Sequence, residues 1–388
     1  MKYLVLGAGK MGYAVAYDLI RSAKVDKVVL TDIDESHVKA TADRLNDPKV
    51  VPARLDVTNE RELGQLMEEV DVAISCVTYE HNYELAKMAL STRTHFVDLG
   101  GNEEIVARQF NLDELARERG VTVIPDAGLA PGMVSLLAVS AADSLDEVYD
   151  IRMRVGGLPV EREVSPLGYA QVFSIDGLIN EYYENCTVIR DGRLVQVPSL
   201  SEVEEIEFPK PFGVMEAFNT AGGTSTLPQT YLSRVQHLDY KTIRYPGHMK
   251  AMLTLKDLGL MDKEPIKVGG KNIVPRQVLH SLLAAKLPAN EPDVVLLRVS
   301  VSGLRSGKPV QLVFDCIDYA DQAVGLSAMM RMTAFPASIV AQMIARGDIN
   351  KRGVLRQEQA VPTRLFLTEM DGRGINLKMI ERSPALKN

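Results

Sequence analysis

The chain has 388 residues, enough for about two domains at roughly 150 residues apiece. Apolar residues make up 46% and charged residues 24%, which excludes wholesale disorder. Lys and Arg number 44 against 51 Asp and Glu, a net charge of −7, and no run of like charge forms a patch that would ask for nucleic acid or anionic lipid.

Six short β-rich runs open the chain, at residues 3–6, 27–31, 50–55, 71–77, 94–97 and 121–125. Amphipathic stretches separate them, the rhythm of βαβ units and a parallel sheet. A helix is predicted over residues 11–20, and Asn59-Glu60-Arg61-Glu62 carries the polar cap and later Glu that open another. Residues 102–119 read as one long amphipathic helix with Gly120 as its C-cap.

In an open parallel sheet the ligand lies beyond the carboxyl ends of the strands, so the residues after each run carry the information. The first run is followed by Gly7-Ala8-Gly9-Lys10-Met11-Gly12 and the second by Asp32. Asp56 and Val57 follow the third run, and Val77 ends the fourth just before Tyr79-Glu80-His81. The fifth leads into Asp98-Leu99-Gly100-Gly101 and the sixth into Asp126.

Gly7, Gly9 and Gly12 form G-x-G-x-x-G between a strand and a helix. Gly7 permits the tight turn, Gly9 a close backbone approach to a pyrophosphate, and Gly12 tight helix-to-strand packing. The free amides at the helix start, Lys10 and Met11, then face the phosphates. Asp32 lies 32 − 12 = 20 residues past the last glycine, where an acid accepts the ribose hydroxyls. The acid repels a 2′-phosphate and Ile33-Asp34-Glu35 offers no Arg to accept one, so NAD is expected over NADP. Asp56 and Val57 are assigned to the adenine side, the alternative being a solvated loop; Val77, Asp98 and Gly100 are assigned to the same cofactor edge.

The sixth run ends in Pro125-Asp126-Ala127-Gly128-Leu129-Ala130-Pro131-Gly132-Met133 and leads into an apolar helical stretch, a domain junction. Here the sequence resembles the saccharopine dehydrogenase family, and within it the lysine 6-dehydrogenase branch. The resemblance extends to Val197–Val203, Glu216-Ala217-Phe218, Gly222–Leu227 and Tyr240–His248. Saccharopine-forming members usually carry Asp before the Pro-Gly of that turn, whereas this chain has Ala130. The resemblance implies NAD-dependent oxidation of the ε-amine carbon of L-lysine, giving 2-aminoadipate 6-semialdehyde, which cyclises to a piperideine carboxylate, and ammonia. The rival is a saccharopine- or carboxynorspermidine-type reductase; a reading of another class is a dinucleotide-binding sensor without turnover.

An alkylammonium must lose a proton before its carbon can lose hydride, so the chemistry needs a base or a desolvated amine pocket. Asp126 is the first candidate to hold the amine, the competing reading being a turn-stabilising carboxylate. Tyr79 and His81 are placed near the reacting end, His81 either as a proton shuttle or as a loop histidine bonded to backbone. Arg244 is the expected partner of the substrate carboxylate, because its planar fork binds one bidentately. Lys241 and His248 are secondary candidates; on a strand Lys241 and Arg244 face opposite sides. Thr224 and Ser225 offer hydroxyls and amides for a carboxylate, or simply form a hairpin loop.

Past residue 130 the rhythm changes to strands at 147–156, 186–197, 239–244, and 293–302 with 310–319, the last pair joined through 303–307. Residues 325–345 return to helical spacing, with Pro336 as a kink or restart. The expected fold class is α/β: a Rossmann-type NAD-binding domain at 1–130, an inserted α+β mixed-sheet substrate and dimerisation domain at 131–322, and a C-terminal helical segment at 323–388. By the resemblance this segment packs back on the first domain, with the active site in the interdomain cleft. Cys76, Cys186 and Cys316 form no CxxC, and no metal-ligand spacing is present. A cytoplasmic enzyme with a small-molecule substrate is expected, a homo-oligomer by analogy of fold.

Overall fold

The computed structural model describes residues 1–382. It divides into two compact units: Met1–Ser140 with Met330–Asn376, and Ala141–Met329 with the chain from Leu377 on.

The first unit begins β1 (Lys2–Leu6), α1 (Lys10–Ile20), β2 (Lys27–Asp32), α2 (Glu35–Leu45), β3 (Val50–Arg54), α3 (Glu60–Met67) and β4 (Val72–Ser75). It continues through α4 (Asn82–Thr92), β5 (His95–Asp98), α5 (Glu103–Phe110), α6 (Asp113–Arg119), β6 (Thr122–Ile124) and α7 (Met133–Ala142). All six expected strands are present and parallel. Tyr3, Leu4, Val5 and Leu6 are all fully buried, which is why β1 reads as a continuous apolar run: helices cover both faces of a parallel sheet. On one face Leu4 and Leu6 pack with Leu85, Ala89, Phe96 and Val123. Asn59 caps α3 by accepting the Glu62 amide, and Gly120 ends α6 in the left-handed region at φ 70°. The single helix expected over 102–119 is instead α5 and α6, broken at Asn111 and Leu112, whose amides turn back to the Arg108 and Gln109 carbonyls.

The second unit holds β7 (Glu147–Pro159), α8 (Ile175–Tyr183), β8 (Cys186–Arg190), β9 (Arg193–Val197), β10 (Glu204–Phe208), β11 (Gly213–Asn219), α9 (Leu227–Tyr231) and β12 (His237–Arg244). Then follow α10 (His248–Asp257), β13 (Ile266–Val268), β14 (Lys271–Ile273), α11 (Pro275–Lys286), β15 (Asp293–Arg305) and β16 (Lys308–Tyr319). The main sheet is mixed: β12 runs parallel to β7, while β11 pairs antiparallel with β12, and β15 with β7 and β16. The β15–β16 hairpin closes on Ser306 and Gly307 alone, both at positive φ (52° and 73°), so the strands run through the expected five-residue loop.

The chain then forms α12 (Ala328–Arg346), β17 (Gly353–Val354), α13 (Gln357–Ala360), α14 (Thr363–Asp371) and β18 (Met379–Arg382). α12 runs through Pro336 as one helix, without a restart. β17 pairs parallel with β6, giving the first sheet the order β17-β6-β5-β4-β1-β2-β3. Two departures from the expected division follow. The first unit's opening stretch runs to Ser140, ten residues beyond 130, and the segment expected at 323–388 is shared between the units. Its end, β18, pairs antiparallel with β16 of the second unit, anchored by Arg382 to Asp315 and by Arg305 to Glu381. The last six residues of that segment lie outside the described ones. Among the described residues no helix is long and apolar enough to cross a membrane.

Candidate functional site

Gly7 sits at φ 98°, and a Cβ there would come within 2.9 Å of the Cys76 carbonyl oxygen. A Cβ on Gly12 would lie 1.8 Å from the Gly7 oxygen, so only glycine lets α1 approach β1. A Cβ on Gly9 would meet nothing within 4 Å. Gly9 is the N-cap of α1, with no side-chain cap and no acid in the first turn, so the helix start with Lys10 and Met11 is left open to an anion. Asp32 ends β2, accepting the Ala8 amide at 2.9 Å and the Asp34 amide at 3.1 Å. One carboxylate thus braces the glycine turn while keeping lone pairs for a ribose. These features fit a dinucleotide.

The other sequence candidates on this edge divide. Val57 and Val77 pack against the apolar cluster under the sheet, Val77 beside the Gly7 turn. Asp56 accepts the Thr58 amide and hydroxyl, and these bonds hold its carboxyl below the usual range; it fixes its own loop. Asp98 and Gly100 are both engaged with Asp126. Buried Asp98 accepts the Gly100 amide (2.8 Å), the Asp126 amide (3.2 Å) and Gln109 Nε2 (2.7 Å). Burial raises its pKa against those three donors. A Cβ on Gly100 would lie 1.8 Å from Asp126 Oδ1, so Gly100 is the space into which that carboxylate packs.

Asp126 is buried and held in the left-handed region at φ 59°. Its amide is bound by Asp98, and its carbonyl accepts Gln357 Nε2 from α13 at 2.7 Å. The Tyr79 ring lies against Gly101, beside the Gly100 that accommodates Asp126. Tyr79, Glu80 and His81 form a short 3₁₀ turn before α4. The His81 imidazole makes no hydrogen bond among the described residues, and no described contact joins it to Asp126.

In the second unit Lys241 and Arg244 occupy opposite faces of β12, as their spacing requires. Lys241 Nζ is taken by the Glu202 carbonyl (2.6 Å) and Glu204 (3.0 Å). Glu204 and Asp239 also bind Arg154, and Asp239 and Glu202 bind Arg190. Lys241 is therefore corrected from substrate ligand to member of a structural ion network. Thr224 donates its hydroxyl to the Thr187 carbonyl on β8, which pins the loop; Gly223 lies against the Tyr240 ring. Ser225 turns that loop at φ 47°.

Arg244 is 2% exposed. Its Nε donates to Tyr182 Oη at 3.0 Å and its Nη1 to the Ile243 carbonyl at 3.0 Å, while the guanidinium lies 5.0 Å from the Tyr169 ring centre. Nη2 faces Glu181 Oε2 at 3.8 Å, beyond hydrogen-bond range. Two buried polar atoms beside it, Glu181 Oε2 and Tyr169 Oη, have no hydrogen-bond partner. His248 Nε2 is 3.0 Å from Tyr182 Oη and Nδ1 is 2.9 Å from the Leu167 carbonyl. Because Arg244 can only donate and a carbonyl only accept, Tyr182 donates to Nε2 and the proton sits on Nδ1. Burial, aided by Arg244, pushes the His248 pKa down to about 3, so this imidazole orients Tyr182 as a neutral group. No local pattern marks Glu181, Tyr182, Tyr169 or Gln357, and the sequence spacing predicts no element over α8 or α13.

Comparison with known proteins places these features. A model described as the saccharopine dehydrogenase NADP binding domain matches residues 3–124, and one described as the saccharopine dehydrogenase C-terminal domain matches residues 128–375. The chain belongs to the saccharopine dehydrogenase family, and its first part is a pyridine-nucleotide-binding domain. The mitochondrial alpha-aminoadipic semialdehyde synthase of Bos taurus is 24% identical over 91% of this chain and 45% of its own length. The saccharopine dehydrogenase [NADP(+), L-glutamate-forming] of Saccharomyces cerevisiae is 25% identical over 74% of this chain and 65% of its own. The chain thus spans about half the length of the first of these relatives. Carboxynorspermidine synthase of Vibrio cholerae is 23% identical over 99% of this chain and 98% of its own. The solved apo saccharopine dehydrogenase (L-Glu forming) from Saccharomyces cerevisiae covers 98% of this chain and 100% of its own, with a TM-score of 0.79 at 20% identity, a likeness of fold.

Proposed function

We propose that this protein is an NAD-dependent oxidoreductase that deaminates the ε-amine of L-lysine, consuming water and giving 2-aminoadipate 6-semialdehyde and ammonia. The observation that carries the choice of substrate is the charge inventory of the second unit. Of the three buried Lys and Arg side chains among its described residues, Arg154 and Lys241 are bonded to carboxylates, whereas Arg244 has its nearest carboxylate at 3.8 Å. One available guanidinium suits a substrate with one carboxylate. Saccharopine, with several, would ask for more cations.

Asp32 supports NAD, although the matching family model is named for NADP. A carboxylate at the end of the second strand suits the ribose hydroxyls and repels a 2′-phosphate, and Asp34 is committed to capping α2 through the Ser36 and His37 amides. When bound, the dinucleotide supplies the hydride acceptor. The chain supplies the rest: buried Asp126 holds the amine and takes its proton, with the Tyr79 ring against Gly101 nearby, and Arg244 holds the carboxylate. Asp126→Ala should lower kcat by roughly a hundredfold or more, the scale of a lost general base. Arg244→Ala should chiefly raise KM, the mark of lost ground-state binding. Steady-state kinetics of both variants test this, and full activity in either overturns its assignment.

A second reading is favoured by the end-to-end coverage of the Vibrio cholerae carboxynorspermidine synthase. The protein would then reduce an imine formed from an amine and an aldehyde, and turnover would require the reduced dinucleotide and both carbon substrates.

A further inference from the structure

Arg244 uses two of its five N–H donors on Tyr182 and the Ile243 carbonyl. Its Nη2 and Glu181 Oε2 face each other at 3.8 Å without a hydrogen bond, and Tyr169 Oη beside them also lacks a partner. Buried polar atoms in native proteins are almost always bonded, and a buried ion pair offsets its desolvation only when its remaining donors and acceptors are satisfied. Here a cation and an anion are each left incomplete, side by side. The Glu181 side chain is 26% exposed although Oε2 itself is buried, and the Arg244 side chain is 2% exposed, so solvent reaches the rest of the Glu181 side chain while the facing atoms of the pair are closed in this structure.

We infer that Glu181 and Arg244 form a receptor for the zwitterionic head of an α-amino acid, Arg244 taking the carboxylate and Glu181 the α-ammonium. This rests on the reading of Arg244 as the carboxylate anchor and adds the α-amine to the recognised group. A carboxylate alone would gain Arg244 but meet the negative charge of Glu181, and an amine alone the reverse. In an α-amino acid the two charges are two bonds apart, a spacing suited to an opposed pair at 3.8 Å. Tyr169 Oη is a further donor or acceptor for either group.

The surroundings leave Glu181 as the group that titrates near neutrality. Burial pushes it up to about 7 while Arg244 pulls it down. The phenols of Tyr169, Tyr182 and Tyr240 are all raised by burial, and His248 is held down at about 3. The other charges nearby are engaged: Glu216 on the Gly247 and Met249 amides, Lys256 on the Tyr182 carbonyl and Ser199, and Arg276 on Asn180 and the Asp176 carbonyl.

Calorimetric titration of the intact chain, with NAD present, against L-norleucine, hexanoate and hexylamine tests the receptor without turnover. L-norleucine should bind at least about tenfold more tightly than either single-charge analogue, the worth of one charge-assisted hydrogen bond. Its affinity should rise between about pH 6 and pH 8 as Glu181 ionises. Glu181→Gln should remove the pH trend, weaken L-norleucine by about tenfold and leave hexanoate unweakened. Hexanoate binding as well as L-norleucine to the wild type, no binding of L-norleucine, or an unchanged Glu181→Gln variant each overturns the receptor. The wild-type comparison decides even if the variant does not fold. Selective L-norleucine binding without lysine oxidation would overturn the proposed reaction alone; oxidation of 6-aminohexanoate as efficiently as lysine would overturn the receptor alone.

Discussion

Asp32 braces the glycine turn through the Ala8 amide, so its removal should loosen the turn as well as lose the proposed ribose contact. Replacing Asp32 by Ser together with Ile33→Arg should weaken NAD by about tenfold or more and raise NADP affinity, given the worth of charge-assisted hydrogen bonds. Titration of both dinucleotides by fluorescence of the reduced forms checks this, and an unchanged preference contradicts the role of Asp32. His248 and His95 carry a second prediction. Burial lowers both, to about 3 and about 4 from 6.5, and His95 Nδ1 accepts the Thr122 amide. The unfolded chain therefore takes up a proton at each below pH 6.5 that the folded chain refuses, so their stability contribution is present above 6.5 and is lost as pH falls toward the folded values. Glu181, raised to about 7, acts in the opposite sense, its contribution being lost as pH rises through 7. Chemical denaturation at two pH values should show His248→Gln to be less acid-sensitive than the wild type, by up to ~1.4 kcal/mol per pH unit. An equal sensitivity would mean that the buried imidazole does not govern it. At this scale the sequence made legible the residues whose job is set beside them in the chain: Gly7, Gly12, Asp32 and the exceptional turn at Asp126. Glu181, Tyr169 and Gln357 were not legible, because their roles arise from partners far away in sequence; Gln357 reaches Asp126 across 231 residues.

The glycine turn and the start of α1, the proposed phosphate site, offer a clean contrast between two glycines. Gly9 and Gly12 both begin α1, yet a Cβ meets open space at the first and the Gly7 oxygen at 1.8 Å at the second. Gly9→Ala should fold with the stability of the wild type within about 0.5 kcal/mol and lose dinucleotide affinity, whereas Gly12→Ala should lose roughly 1–3 kcal/mol even without cofactor. Urea midpoints of the apo proteins, followed by NAD titration, separate the two; equal stability would show that the turn yields more readily than its geometry indicates. The strands of the first unit were readable because a sheet covered on both faces writes itself as unbroken apolar runs. β17 was not, since two residues carry no period. The break between α5 and α6 was equally hidden, because both helices share the amphipathic spacing of one.

Over the whole molecule, the chain leaves the first unit after α7, builds the second, and returns through α12 and α14. The return is fastened by a buried acid on α1: Asp18 accepts Arg373 through both oxygens, at 2.6 and 3.0 Å, and also Ser338 and Gln342. Arg373 is bonded in turn to Glu369, which also pairs with Arg346. Asp18→Ala would leave a largely buried guanidinium short of its main partner and should cost about 3 kcal/mol in chemical denaturation; a loss below about 0.5 kcal/mol would show that Glu369 and solvent suffice. Nothing local in the sequence marks Asp18 for this, since its partners lie 320 residues and more away. The mixed sheet was readable as strands but not as an order of strands, which depends on pairings such as β12 with β7 that no turn sequence specifies.

The proposed reaction is the NAD-dependent oxidation of the ε-amine of L-lysine, a substrate with one carboxylate. The most direct test mixes the intact protein with NAD and L-lysine and follows nicotinamide reduction together with ammonia release, with saccharopine and NADP run beside them. Reduction of NAD with L-lysine, one ammonia per reduced nicotinamide and no comparable turnover of saccharopine is the predicted result. Silence with L-lysine and turnover of saccharopine, or turnover only of an amine with an aldehyde and a reduced dinucleotide, would contradict it.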